Sequence, residues 1–184
     1  MRKVVAGLFL SLDGVMEAPN EWHFPYWSDE MGAVITAQTE AADALLLGRV
    51  TYEQFAAYWP TASRDENPLA AFMNDTPKYV VSDTLDKAEW NNSTLIQGNV
   101  VEQITQLKQQ PGKNINIIGS ATLIQFLLQN DLLDELHLLI HPIVVGKGKR
   151  LFKDGADQKG LELFESKTFP TGVLSVAYRP APAK

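Results

Sequence analysis

Apolar positions along the chain follow two rhythms that take turns. Short runs of β-branched and aliphatic residues, such as KVVAGLFLSL (Lys3–Leu12), give way to stretches where apolar residues recur three or four apart, as at Met31, Val34, Ile35 and Ala41. The first rhythm predicts strands and the second predicts amphipathic helices. Asp13-Gly14 closes the first strand, an aromatic and proline-punctuated loop covers Glu17 to Ser28, and a helix runs from about Asp29 to Ala42 with Ser28 as its cap. Ala44–Leu47 then reads as a strand, Gly48 as a break, and Tyr52–Tyr58 as a helix stopped by Trp59-Pro60. The alternation continues through a short helix at Leu69–Asn74, strands at Lys78–Ser82 and Thr94–Gln97, a helix at Val100–Gln109, a strand at Asn114–Ile118 and a helix at Ala121–Gln129. Beyond it the pattern is strand only. DELHLLIHPIVV reads as one long strand, Gly146–Lys149 as a turn, and Leu161–Thr168 with Val173–Arg179 as a hairpin around Pro170-Thr171-Gly172. The fold class is therefore α/β: a mixed, mostly parallel central sheet flanked by helices, with a C-terminal antiparallel hairpin.

Composition narrows the function classes. A length of 184 residues fits one domain spanning 1–184, with a Pro and Ala tail from Pro180 to Lys184. No run of apolar residues is long enough to cross a bilayer, the N-terminal run lacks a cleavage pattern, and a cytoplasmic location without membrane association is expected. With no cysteine the chain has neither a disulfide framework nor thiolate chemistry. A formal charge of −6 without clustered Lys and Arg argues against nucleic acid as a partner. Any anionic ligand must be held locally.

In sheets of this kind ligands bind at the carboxyl ends of the strands. Four such ends carry chemistry. At Gly48-Arg49-Val50-Thr51 a glycine permits close approach, Arg49 offers a forked donor and Thr51 a hydroxyl at a helix start; the same residues also suit a capped turn with a solvated Arg49. Gly119-Ser120-Ala121-Thr122-Leu123 repeats the arrangement, and it too reads either as a phosphate contact or as a plain turn. Ser82-Asp83-Thr84-Leu85 either lines the adenosine end of a nucleotide or turns the chain, and Asp13 either orients a substrate or makes the Asp-Gly turn. Trp22, Phe24, Tyr26 and Trp27 can wall a planar ring or simply pack; His23 among them is read as a surface side chain, with proton donation as its functional alternative. His137 and His141 share one strand face, but without HExxH or a carboxylate cluster no metal site is expected.

At these ends the sequence resembles the dihydrofolate reductase superfamily, and more closely its branch related to the reductase (RibD C-terminal) domain of the bifunctional riboflavin-biosynthesis enzyme. The resemblance rests on SLDG (Ser11–Gly14), LLLGRVTYE (Leu45–Glu53), KYVVSDTL (Lys78–Leu85), IIGSATLIQFLL (Ile117–Leu128) and LLDELHLLIHPIVVGKGKRLF (Leu132–Phe152). It implies NADPH as cofactor, with Gly48, Arg49 and Thr51 near its phosphates, Ser82 near its adenosine half, and Gly119, Ser120, Ala121, Thr122 and Leu123 along the pyrophosphate. It implies an NADPH-dependent oxidoreductase that passes a hydride to a small planar heterocycle, pterin-like or pyrimidine-like as in the riboflavin-pathway aminouracil reductase, or to a carbonyl. Asp13 would face the substrate, with Trp22 and Trp27 as its wall. The segment EWHFP (Glu21–Pro25) resembles the loop leading to the substrate-binding acid of dihydrofolate reductases, but the acid's position holds Trp27 and the nearest carboxylate is Asp29. That departure keeps a non-catalytic NADP-binding dimer open as the alternative. The family also implies a homodimer, expected through the apolar strand around Leu136–Val145.

Overall fold

The computed structural model describes residues 1–182, so the last two residues of the Pro and Ala tail lie outside it. Its elements, in chain order, are β1 (Val4–Ser11), α1 (Asp29–Glu40), β2 (Ala42–Gly48), α2 (Arg49–Tyr58), α3 (Leu69–Asp75), β3 (Lys78–Val81), β4 (Ser93–Ile96), α4 (Val100–Gln109), β5 (Asn114–Ile117), α5 (Ala121–Gln129), β6 (Glu135–His141), β7 (Leu161–Thr168) and β8 (Leu174–Pro180). One eight-stranded sheet takes the order β4-β3-β2-β5-β1-β6-β8-β7. Its first six strands are parallel neighbours, and β8 and β7 close it antiparallel.

Period-two alternation sorts the core into two layers. Ala44 and Leu46 of β2 and Leu8 and Leu10 of β1 face Ile104 and Leu107 of α4 and Leu123, Ile124 and Leu127 of α5. Leu45 and Leu47 point the other way, toward Tyr52 of α2 and Met73 of α3. On that second face Phe9 and Leu139 meet Met31, Val34 and Ile35 of α1. Helices α1, α2 and α3 thus cover one face, and α4 and α5 the other. β2 is buried on both faces, which is why LLLG shows no alternation of polarity.

Three elements differ from the sequence expectation. β2 begins at Ala42, which the sequence assigns to the preceding helix, and α2 begins at Arg49 directly after the strand, so Arg49 and Thr51 sit within its first turn. The long strand ends at His141 instead of Val145, because Pro142 has no N–H for the ladder. The backbone N–H groups of Val145 and Gly146 go instead to the Asp13 carboxylate, at 3.0 and 2.9 Å. The apolar excess of β6 is consumed within the chain: Leu136, Leu138 and Leu139 are all buried. Exposed apolar side chains of this region include Val144, just past β6, Leu163 and Phe164 of β7, and Leu174 of β8.

One buried charge anchors the α3 side. Lys78, fully enclosed at the start of β3, donates from Nζ to the carbonyls of Met73 at 2.9 Å, Asn74 at 3.0 Å and Thr76 at 2.8 Å, capping the end of α3, and lies 4.4 Å over the Trp90 ring. Burial pushes its pKa down to about 8, opposed by the charge of Asp75, so the ammonium still carries its proton at neutral pH. Lys78→Met leaves those carbonyls enclosed without a donor and is expected to cost about 2–4 kcal/mol. Urea unfolding checks this as a fall in midpoint at unchanged slope.

Candidate functional site

The strand order sets where a ligand crevice opens. β5 lies between β2 and β1. β5 leads into α5 on one face, while β1 and β2 lead into α1 and α2 on the other. Helices departing to opposite faces leave a crevice at the carboxyl ends of these strands.

Two strand-to-helix turns meet in that crevice and interlock. A Cβ at Gly48 would fall 2.6 Å from Ser120 Oγ, and a Cβ at Gly119 would fall 2.8 Å from Thr51 Oγ1. Each turn therefore needs its glycine because the other turn's hydroxyl occupies the space. The Gly119–Ser120 peptide bond is cis. Ser120 caps α5, its Oγ accepting from Leu123 N at 3.3 Å, while Gly48 gives α2 no side-chain cap. The first N–H groups of α2 are thus without a side-chain acceptor, in the geometry that attracts anions. Arg49 stands at the same corner; its half-exposed guanidinium donates to Glu53 Oε2 at 2.9 Å one turn along. Of the α5 residues, Thr122 faces solvent, while Ala121 and Leu123 turn their side chains into the core.

The other expected residues are placed differently. Ser82 follows β3, one strand beyond Gly48, which pairs with Val81. Its Oγ accepts from the N–H groups of Thr84 at 3.2 Å and Leu85 at 3.1 Å, so it shapes the turn. Asp13, after β1, is tied into the scaffold: besides Val145 and Gly146, its carboxylate accepts from Ser11 Oγ at 2.6 Å and lies 3.6 Å from Arg150. The Ser11 hydroxyl, followed by the two backbone N–H groups, holds its pKa down at about 2. Because the folded value is depressed, its contribution to holding this turn is present above the ordinary carboxyl value of 3.8 and is lost as pH falls toward about 2. Asp29 opens α1 and is exposed.

The aromatic segment divides between surface and interior. Phe24 and Trp27 are exposed, as are Leu12 and Ile118 at the ends of β1 and β5. Trp27 lies back over α1, with an indole carbon 3.2 Å from where a Gly32 Cβ would stand. Trp22, expected in the substrate wall, is buried instead, with its indole N–H on the Glu17 carbonyl at 3.2 Å. His23, expected at the surface, is buried too, stacked on Phe9 at 4.6 Å, and His141 beside it is fully enclosed. The even spacing of His137 and His141 marked their common strand face, but nothing in the sequence paired His141 with His23. Among the described residues no cluster of three or more His, Asp or Glu is arranged to hold a metal, and no helix is long and apolar enough to span a membrane.

The family model of the RibD C-terminal domain matches residues 2–175. The chain belongs to the RibD C-terminal domain family. Among curated proteins, this family member is 32% identical over 183 residues to the uncharacterized protein YyaP of Bacillus subtilis (strain 168), covering 96% of this chain and 94% of that one. Its fold is similar to that of a candidate riboflavin biosynthesis protein of Shewanella sp. PV-4, with a TM-score of 0.76 at 23% identity, covering 99% and 100% of the two chains. It is also similar to dihydrofolate reductase from Enterococcus faecalis complexed with NADP(H), with a TM-score of 0.63 at 16% identity over 98% and 97%. The dihydrofolate reductase-like fold expected from the sequence is therefore the fold observed.

The interlocked turns give a stability test. Gly119→Ala is expected to cost about 1–3 kcal/mol by overpacking. Adding Thr51→Ala, which leaves only the residue 51 Cβ at 3.6 Å, should recover most of that loss in a double-mutant cycle of urea midpoints.

Proposed function

We propose that this RibD C-terminal domain protein is an NADPH-dependent reductase of a small planar heterocycle, pterin-like or pyrimidine-like, or of a carbonyl. The observation that carries the proposal is the interlock of Gly48 with Ser120 and of Gly119 with Thr51, beside the uncapped start of α2. The start of α2 suits a pyrophosphate: the glycines let the two turns close on each other, the helix N–H groups are free of a side-chain cap, and the guanidinium at the corner is held only by an exposed ion pair of small worth. When bound, NADPH supplies the hydride. The chain's own part is to hold and orient. Arg49 leaves Glu53 for a phosphate, Thr51 and Ser120 offer hydroxyls, and Leu12, Ile118, Phe24 and Trp27 border the space left for a flat ring. Asp29 is the nearest carboxylate in sequence to Trp27 and takes the substrate-facing role; Asp13 acts on it indirectly, by fixing the turn at Val145-Gly146.

Four tryptophans make the test direct. Titration with NADPH is expected to change their emission saturably, and Arg49→Ala to weaken NADPH by about 10- to 100-fold, as a lost charged hydrogen bond to a phosphate requires; a much smaller loss for NADH assigns Arg49 to the extra phosphate, and an equal loss assigns it to the pyrophosphate. Absence of saturable binding by either nucleotide overturns the proposal. Saturable binding with no oxidation of NADPH across pterins, flavin precursors and small carbonyls assigns the protein to the non-catalytic NADP-binding alternative.

The same reading includes a homodimer, with its apolar contact moved from β6 to Leu163, Phe164 and Leu174 at the β7 edge of the sheet. Sedimentation equilibrium should return twice the chain mass, and Leu163→Glu together with Phe164→Lys should return the monomer.

A further inference from the structure

His23 and His141 share a box of rings at the carboxyl ends of β1 and β6. Phe9 stacks on His23 at 4.6 Å and meets His141 edge-on at 5.6 Å; Trp22 and Tyr26 meet His141 edge-on at 5.2 and 5.8 Å; Phe24 and Trp27 lie 4.2 and 6.2 Å from His23. The two imidazoles are 6.1 Å apart. His141 Nδ1 faces the Leu139 carbonyl at 2.8 Å, and since a carbonyl only accepts, Nδ1 carries the proton and Nε2 is bare. That Nε2 and His23 Nδ1 are both enclosed without a hydrogen-bond partner.

No counter-charge reaches the pair. β1 presents Phe9, β6 presents Leu139, and α1 presents Met31, Val34 and Ile35, and the Tyr26 phenol ring meets His141 edge-on. Of the segment's acids, Glu17 accepts from Lys149 N at 2.9 Å, Glu21 and Asp29 are exposed, and Glu30 is held ionised chiefly by its own backbone N–H and by Ser28. Lys167 of the C-terminal hairpin sits 5.8 Å over the Phe169 ring. His137, two turns of the pleat away on β6, faces the Glu135 carboxylate at 2.8 Å.

We propose that His23 and His141 form a buried histidine switch: neutral, they lock the aromatic segment from Glu17 to Ser28 over the ends of β1 and β6, and once charged they release it. Two imidazolium ions so close, in an apolar box without a carboxylate, repel each other and forfeit hydration. Burial lowers the pKa of both below the ordinary 6.5, and for His23 the His141 charge lowers it further. The closed state is therefore fully favoured above pH 6.5 and loses ground as pH falls below it, because the open state binds more protons. With both rings still neutral in the closed state, each pH unit below 6.5 moves the closed-to-open ratio by up to ~100-fold, ~10-fold per histidine. The neighbouring Val145-Gly146 turn does not titrate in this window, since Asp13 stays ionised down to about 2. The segment carries the exposed Phe24 and Trp27, which the proposed function sets beside the ring, so on that reading acidification would open the substrate side without touching the Gly48–Ser120 corner.

The test needs no ligand. Tryptophan emission of the full chain is followed from about pH 8 to about pH 4.5, with far-UV circular dichroism in parallel. The expected result is an emission change with midpoint below 6.5, a slope above one proton, and circular dichroism unchanged across it. His23→Phe keeps the stack on Phe9 and should reduce the slope to one proton; His141→Asn keeps a donor for the Leu139 carbonyl and should do the same. The double variant should show no transition, and His137→Asn should leave the wild-type transition in place. Flat emission in the wild type, a transition that survives in the double variant, or a transition that coincides with loss of circular dichroism overturns the proposal.

Discussion

The mutual exclusion of side chains where β2 and β5 pass into α2 and α5 governs the rest of the crevice. The strands are neighbours, their helices leave to opposite faces, and the turns between strand and helix must pass each other at van der Waals distance. Glycine at both points is the solution that leaves a hydroxyl from each side in the gap. Once the turns are locked in this way, the starts of α2 and α5 have a fixed relation, and the donors at that corner are set before any ligand arrives. Preorganisation of this kind spares a ligand the cost of ordering the groups that bind it.

The far side of α2 is held as firmly. Tyr52 accepts from the backbone N–H of Trp90 at 2.9 Å, Trp90 donates its indole N–H to Asn74 at 2.9 Å, and Lys78 lies over the same indole while capping α3. Helix α2 is thereby pinned by packing against β5's turn at its start and by a polar network one turn later. Most polar groups at the other strand ends are consumed internally, Ser82 in its own turn and Asp13 in the loop after β6. What remains without a side-chain cap is the start of α2, and Arg49 beside it is held only by its surface pair with Glu53.

Periodicity made the layers of the fold legible. Doubly buried strands read as unbroken apolar runs, and helices as three-and-four repeats, because those patterns follow directly from which faces are covered. Lone residues whose role depends on distant partners were not legible. Trp22 and His23 look like surface aromatics in a proline-rich loop, and only the arrival of Phe9 and His141 from two strands makes them interior. The apolar content of β6 looked like surplus for a partner because the sequence does not reveal that β1 and β8 flank it on both edges. The strand's early end was legible in Pro142, yet the apolar Ile143, Val144 and Val145 outweighed it in the pattern; Asp13 settles the matter by taking the backbone donors that a longer strand would have used.

The distribution of charge around the crevice completes the physical argument. At the corner of α2 stand uncapped backbone donors and a cation held only by an exposed ion pair, a combination suited to an anion. At the ends of β1 and β6 the interior is aromatic and its titratable groups are neutral imidazoles, so the space beside them tolerates a flat, uncharged ring far better than an ion. A carboxylate at position 27 would sit at the margin of that aromatic box; Trp27 extends the apolar margin and leaves the acid to Asp29, on the exposed first turn of α1. Polar recognition of a ring must then come from its outer edge, while its faces meet apolar side chains. On the proposed reading one pole of the crevice takes phosphate and the other a neutral plane, with β5 lying between β2 and β1 in the sheet.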